Sequence, residues 1–187
     1  MKKLGKILVT GGAGLVGSEV VRQLLAKGYE VVVVDNFSTS SMNSFEQHNN
    51  LVVYPADIRD EAKLIRVFRL EKNISAVIHL AAIHFIPYCI EHPKETMDVN
   101  VVGTRNILRI MTQFGVNRIL FASSAAVYAP KEGFHLETDE IAPIDIYGDS
   151  KYLAEQVIAQ ESRKNKFVAQ KFCCIYQLLV PEENHFR

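Results

Sequence analysis

Tyr147-Gly148-Asp149-Ser150-Lys151 sets a phenol and an ammonium four residues apart. At helical spacing the two share a face, where the lysine charge favours the tyrosinate and lowers a pKa that starts near ~10. Such a tyrosinate is a base for a hydroxyl proton. Upstream, Phe121-Ala122-Ser123-Ser124-Ala125-Ala126-Val127-Tyr128 offers two adjacent hydroxyls at the end of a β-branched run. In an open parallel sheet that carboxyl edge is where ligands bind.

A second constellation lies near the N-terminus. In Thr10-Gly11-Gly12-Ala13-Gly14-Leu15-Val16-Gly17 the residues Gly11, Gly14 and Gly17 form a G-x-x-G-x-x-G series between a strand and a helix. Glycines there permit a tight turn, close approach of the backbone to a pyrophosphate, and close helix–strand packing. Asp35 ends the next strand, where a carboxylate accepts hydrogen bonds from both ribose hydroxyls of an adenosine. It would repel the extra phosphate of NADP, and Asn36, Phe37 and Ser38 follow it rather than an arginine, so the cofactor expected is NAD. Each motif alone also fits a plainer reading as a turn, a polar strand end or a solvated helix face.

The elements that must position these residues alternate. Strand patterns cover Lys6–Thr10, Glu30–Asp35, Leu51–Tyr54, Ala76–His79, Arg118–Ser123 and Phe167–Ile175, with continuous apolar interiors that signal burial on both faces. Leu15, Val16, Val20, Val21, Leu24 and Leu25 fall on one helical stripe that Gly28 stops. Further helices are predicted over Ala62–Glu71, Pro93–Gly115 and Tyr147–Arg163. Strand and helix repeated in this way predict an α/β fold, a doubly wound parallel sheet of about six strands, Rossmann-like. Ser38–Asn50 and Ala129–Asp145 read as loops, the second long enough to suggest a function.

The composition narrows the classes. The chain has 187 residues, with 21 Lys+Arg against 21 Asp+Glu, so no cationic surplus marks a nucleic-acid or anionic-membrane binder. A hydrophobic share of 48% is that of a folded domain with a real core. The three cysteines Cys89, Cys173 and Cys174 make neither a disulfide framework nor a spaced zinc knuckle, which suits a reducing cytoplasm. His48, His79, His92, His135 and His185 show no mutual ligand spacing, and no metal is expected. Ile7-Leu8-Val9 ends in Thr10-Gly11-Gly12 before a signal-peptide core can form, and no apolar run is long enough to span a membrane.

Taken in order, Thr10–Gly17, Val34-Asp35-Asn36, Ala56-Asp57-Ile58, His79-Leu80-Ala81-Ala82, Val99-Asn100-Val101-Val102-Gly103-Thr104, Ser123–Tyr128 and Tyr147–Lys151 resemble an extended short-chain dehydrogenase/reductase of the NAD-dependent sugar-nucleotide epimerase/dehydratase family. The resemblance covers roughly residues 6–160 and is greatest toward UDP-glucose 4-epimerase-like members. It implies that Gly11, Gly14, Leu15, Val16 and Gly17 form the phosphate turn and that Asp35 and Asn36 hold the ribose. Asp57 and Ile58 would flank the adenine, with Asp57 accepting from its exocyclic amine. Ala81 and Ala82 would line the cofactor trough, Asn100 would support the active-site backbone, and Ser123 would serve the fold or the cofactor. Tyr147 and Lys151 would also contact the cofactor, Lys151 by bonding the nicotinamide ribose. His84, in the loop after the fourth strand, is a candidate substrate contact, with a surface or packing role as the alternative.

The implied chemistry makes Ser124, Tyr147 and Lys151 catalytic, with Ser124 and Tyr147 touching the substrate. Tyr147 would take the proton of a sugar hydroxyl whose oxygen Ser124 holds, while a hydride passes to the nicotinamide; its return to the other face epimerises the sugar. Dehydratases of the family carry Asp-Glu after the active-site Ser/Thr. Ala125-Ala126 can move no proton, so a 4,6-dehydratase is disfavoured and C4 epimerisation of a UDP-sugar is the subclass left.

The resemblance thins at Lys171–Gln177, where Cys174 and Gln177 depart from the family pattern. The expected organisation is an NAD-binding domain over 1–176 and a tail over 177–187, with the substrate domain largely missing. Three readings stay open: a truncated epimerase that binds NAD but turns over free UDP-sugars poorly, an NAD-binding sensor or partner protein, and an enzyme completed by another chain. The resemblance also implies a homodimer through the helices near 93–115 and 147–163, the pair through which family members dimerise, with Ile107, Ile110, Met111 and Phe114 spaced for that interface or equally for an internal core.

Overall fold

Alternate residues of β1 (Lys6–Thr10) and β2 (Glu30–Asp35) enter opposite cores, because successive strand side chains point to opposite faces. Leu8, Val32 and Val34 pack on one side, and Ile7, Val9, Val31 and Val33 on the other. Burial on both faces is why these strands read as unbroken apolar runs. The computed structural model describes residues 5–41, 45, 47–132 and 135–172. Cys173, Cys174 and the predicted tail over 177–187 lie outside them.

Four further strands complete one parallel sheet: β3 (Leu51–Pro55), β4 (Ile74–His79), β5 (Arg118–Ala122) and β6 (Val168–Phe172). The order is β3-β2-β1-β4-β5-β6. Two windings leave from the centre in opposite directions, so a crevice opens between the carboxyl ends of β1 and β4, where Thr10 pairs with His79. Every strand-to-helix connection at that crevice carries one of the residues singled out above.

The helix α1 (Leu15–Ala26) covers one face through Val21, Leu24 and Leu25. It ends where Gly28, at φ 83°, turns the chain, its N–H reaching Leu25 O at 2.9 Å. The other face is covered by α2 (Glu61–Leu70), α5 (Thr104–Gln113) and α6 (Ile146–Asn165), which contribute Leu64, Phe68, Ile107, Met111 and Ile158 to the larger core. Asp145 caps α6 by accepting the Gly148 N–H at 2.8 Å, so the tyrosine at its second position is firmly placed.

The predicted helix over Pro93–Gly115 is interrupted. It consists of α4 (Pro93–Met97), a π-helical turn over Asp98–Gly103, and α5. Gly103 lies against Ile58, where a Cβ would stand 2.5 Å from Ile58 Cδ1, and the Thr104 hydroxyl binds Asn100 O at 2.6 Å. Widened turns of this kind mark functional sites. A short α3 (Ile86–Glu91), started by Pro87, lies in the segment after β4 that reads as loop, and a 3-10 turn over Ala125–Val127 follows β5. The long connection after Val127 is folded too, since Tyr128 bridges Ile141 and Ala129 N reaches Glu140 O at 2.9 Å.

Ile107, Ile110 and Met111 are buried within the chain, and Phe114 packs on Phe68 with ring centroids 5.6 Å apart. These side chains belong to the internal core, so they are not the ones that would form a dimer. Among the described residues no helix is long and apolar enough to cross a membrane.

Candidate cofactor and proton-transfer site

The crevice floor starts at the glycine turn. Gly11 adopts φ 68°, its N–H bonds Val34 O at 2.9 Å, and a Cβ on it would lie 2.6 Å from Ala81 N. Only glycine fits this junction of β1 and β4. Gly17, in the first turn of α1, is pressed so closely on the turn that a Cβ would stand 2.1 Å from Gly11 O. Gly14 is the N-cap of α1 and supplies no capping side chain, and the first turn holds no acidic residue. The amide donors at this helix end are thereby left for an anion, the arrangement that a pyrophosphate requires. Leu15 is exposed and Val16 half-buried at the same rim.

Asp35 braces this cradle. One carboxylate oxygen accepts Ala13 N–H at 2.9 Å and the other Phe37 N–H at 2.8 Å, leaving each a free lone pair for a diol. Asn36 donates to Asp57 at 3.1 Å. Asp57 is clasped by Arg59 at 2.8 Å and by the Arg59 backbone N–H, and these bonds hold its carboxyl down at about 2. Arg59 went unremarked in the sequence, although a guanidinium two residues after a carboxylate is a readable signal. Ile58 is buried with its side chain against Gly103.

On the other side of the crevice Ala81 and Ala82 are half-buried, and His84 is exposed. Asn100, from the π turn, holds the loop that contains them. Its Oδ1 accepts Ile83 N–H at 2.8 Å, and its Nδ2 donates to Ile83 O at 2.9 Å and Ser150 Oγ at 2.8 Å. The side chain expected to support the backbone here thus ties the loop after β4 to the first turns of α6.

Ser124 and Tyr147 meet where β5 ends. Ser124 caps the 3-10 turn by accepting Ala126 N–H at 3.1 Å, and its hydroxyl lies close enough to the Tyr147 phenol to draw that group's pKa down. Gly148 permits the meeting, since a Cβ there would lie 2.3 Å from Ala126 O. A glycine inside a helix costs about 1 kcal/mol against alanine, so Gly148, unremarked in the sequence, is a readable signal of close packing. Ser123 is fully buried and bonds Glu155, which also receives Lys171 Nζ at 2.6 Å.

The predicted lowering of the tyrosine pKa is not what the free chain has. Burial pushes the Tyr147 phenol above 10, and the Ser124 hydroxyl opposes that only in part. The physical reason is where the lysine stem ends: Lys151 is buried on the same helix face, with its ammonium 4.4 Å over the Phe121 ring. Among the described residues no group of three or more His, Cys, Asp or Glu side chains could hold a metal ion.

His79, at the end of β4, is fully buried, and burial together with the Lys151 charge pushes its imidazole down to about 3. The unfolded chain binds that proton near pH ~6.5 and the folded chain does not, so stability is lost as pH falls from ~6.5 toward 3. At pH 5 the expected loss from this group is ~2 kcal/mol. Urea unfolding at pH 7 and pH 5 should show that drop in the wild type and a smaller one in His79→Phe. Equal drops would mean that the ring does not carry it.

The sequence of residues 7–176 matches the family described as "NAD dependent epimerase/dehydratase family". The UDP-glucose 4-epimerase of Lacticaseibacillus casei is 39% identical over 169 residues, which are 89% of this chain and 50% of that protein. The crystal structure of the Thermotoga maritima UDP-glucose 4-epimerase with UDP-glucose superposes at a TM-score of 0.83 and 30% identity, over 90% of this chain and 54% of that one. The Thermus thermophilus UDP-glucose 4-epimerase complex with NAD gives the same TM-score, identity and coverage, 0.83, 30%, 90% and 54%. The chain spans about half the length of the curated relatives it matches. With the glycine cradle, the Asp35 brace and the Ser124–Tyr147 pair on one sheet edge, the chain belongs to the NAD-dependent epimerase/dehydratase family.

Proposed function

We propose that the chain binds NAD across the crevice and carries the cofactor and proton-transfer half of a nucleotide-sugar epimerase, of the UDP-sugar 4-epimerase type. The observation that carries the reading is the Ser124 hydroxyl set beside the buried Tyr147 phenol at the sheet edge that also bears the open helix end at Gly14. The open amides of α1 hold the pyrophosphate, and Asp35, with Asn36 beside it, holds the adenosine ribose. Ala81 and Ala82 line the trough, which Asn100 supports through Ile83. Within this reading residues 1–176 form the cofactor-binding unit. NAD, when bound, supplies a group that takes a hydride from the sugar carbon and returns it.

The chain's own residues manage the oxygen and its proton. Ser124 holds the sugar hydroxyl oxygen, Tyr147 takes its proton and later returns it, and Lys151, on the same helix face, would bond the nicotinamide ribose. His84, exposed in the loop after β4, would meet the sugar. Ala125 and Ala126 hold no proton to donate, which supports epimerisation over elimination of water. The reading carries with it a cytoplasmic location, argued from cysteine usage, and a homodimer through the outward faces of the π turn and α6, where Val102 and Leu153 are exposed.

Asp35 makes a direct test. Calorimetric titration should give tight NAD and weak NADP binding for the wild type. In Asp35→Ser the loss of charged hydrogen bonds should weaken NAD ~10–100-fold and narrow the preference over NADP. Unchanged affinities would place the adenosine elsewhere.

A further inference from the structure

The proton transfer makes no use of a buried row of polar side chains behind the crevice, formed by Thr10, His79 and Thr104. The directions of its hydrogen bonds follow from its far end. The Thr104 hydroxyl has one hydrogen and spends it on Asn100 O at 2.6 Å, the back-bond of a helical threonine. Toward His79 Nε2, at 2.9 Å, its oxygen therefore accepts. Nε2 must carry the ring proton, and Nδ1 is bare. Nδ1 then accepts from the Thr10 hydroxyl at 2.6 Å, whose oxygen takes the Ala81 N–H at 3.3 Å. Every donor meets an acceptor from one end to the other, which a doubly protonated ring or the opposite tautomer would break.

Each end of this row enters the site. Thr10 precedes the left-handed Gly11, Ala81 lies on the trough floor, and Asn100 passes the row on to Ile83 and to Ser150, the neighbour of Lys151. His79 also stacks on Phe121 at 5.8 Å, the ring over which the Lys151 ammonium sits, so the positive charge facing it disfavours a second ring proton. We propose that His79, fixed as the neutral Nε2–H tautomer, is a positioning residue that holds the glycine turn and the β4 floor in register with the π turn, and through Asn100 with the helix that bears Tyr147 and Lys151. Its effect on cofactor affinity rests on the NAD reading above; its tautomer does not.

Long-range nitrogen–proton spectra of histidine-labelled protein should show His79 with a protonated Nε2 and a bare Nδ1 from pH 5 to pH 8. A protonated Nδ1, or an imidazolium titrating in that range, overturns the proposal. His79→Phe keeps the ring stack and removes both hydrogen bonds. It should speed amide exchange at Gly11–Gly14 and Ile83 and weaken NAD ~10-fold or more, about what one or two ordinary hydrogen bonds are worth. Phe68→Leu, a core variant away from the row, should lower thermal stability and leave both readouts as in the wild type. Should His79→Phe fail to fold, Thr104→Val, which strands Nε2–H, should show the same two changes. Wild-type exchange and affinity in both variants would sink the idea. A wild-type chain that binds no NAD overturns the functional reading instead, and the tautomer and exchange results then decide on His79.

Discussion

Gly17→Ala should abolish measurable NAD binding while the chain still folds. The added Cβ would sit 2.1 Å from Gly11 O and 2.7 Å from Gly12 Cα, both backbone atoms that no rotamer change can move away. The first turn of α1 must back off by roughly 1 Å to restore contact distance, at the ~1–3 kcal/mol usual for overpacking. The displacement falls on the amides that would cradle the pyrophosphate, so affinity should drop ~100-fold or more, well beyond the loss in stability. Gly14→Ala separates the two effects. Its Cβ would meet only Gly11 O, at 3.5 Å, so thermal stability should change by no more than ~1 kcal/mol while binding still falls. Normal NAD affinity in both variants would remove the turn from the site.

Tyr147→Phe should leave NAD affinity within a factor of ~3 and lower turnover of a UDP-hexose ~10²–10⁴-fold, the range for removal of a positioned acid–base group. The phenol of the free chain stands above 10 because it is buried, so the tyrosinate is the minor form at neutral pH. For a reaction that needs that base, kcat/KM should rise about tenfold per pH unit from pH 7 toward the phenol pKa. The residual rate of Tyr147→Phe should be flat over the same range. A wild-type profile that is level from pH 6 to pH 9 would mean that another group takes the proton. Ser124→Ala removes the hydroxyl that draws the phenol pKa down, so it should push the rise to still higher pH.

The parallel sheet was legible because its central strands β1 and β2 are buried on both faces and therefore rich in β-branched residues; they run from Lys6 to Thr10 and from Glu30 to Asp35, as the residue pattern predicts. The glycine turn and Asp35 were legible for a related reason, since backbone crowding and charge both restrict residue type at single positions. What was not legible depends on distant neighbours. The run over 93–115 has helical spacing throughout, and only the approach of Ile58 to Gly103 reveals why the chain widens into a π turn there. Spacing puts Tyr147 and Lys151 on one face of α6 but is silent about Phe121, the ring that receives the ammonium. Ile107, Ile110 and Met111 form an apolar stripe equally suited to a partner or to a core, and the sheet beneath them decides for the core.

In the proposed reaction a sugar carbon gives up a hydride that is held on the protein and returned, while Tyr147 handles only the hydroxyl proton. UDP-galactose deuterated at C4, incubated with the NAD-loaded chain in ordinary water and followed by NMR, tests it most directly. The account predicts slow conversion to UDP-glucose with the deuterium still at C4. Loss of the label to water, or no conversion by a chain that binds NAD normally, would contradict it.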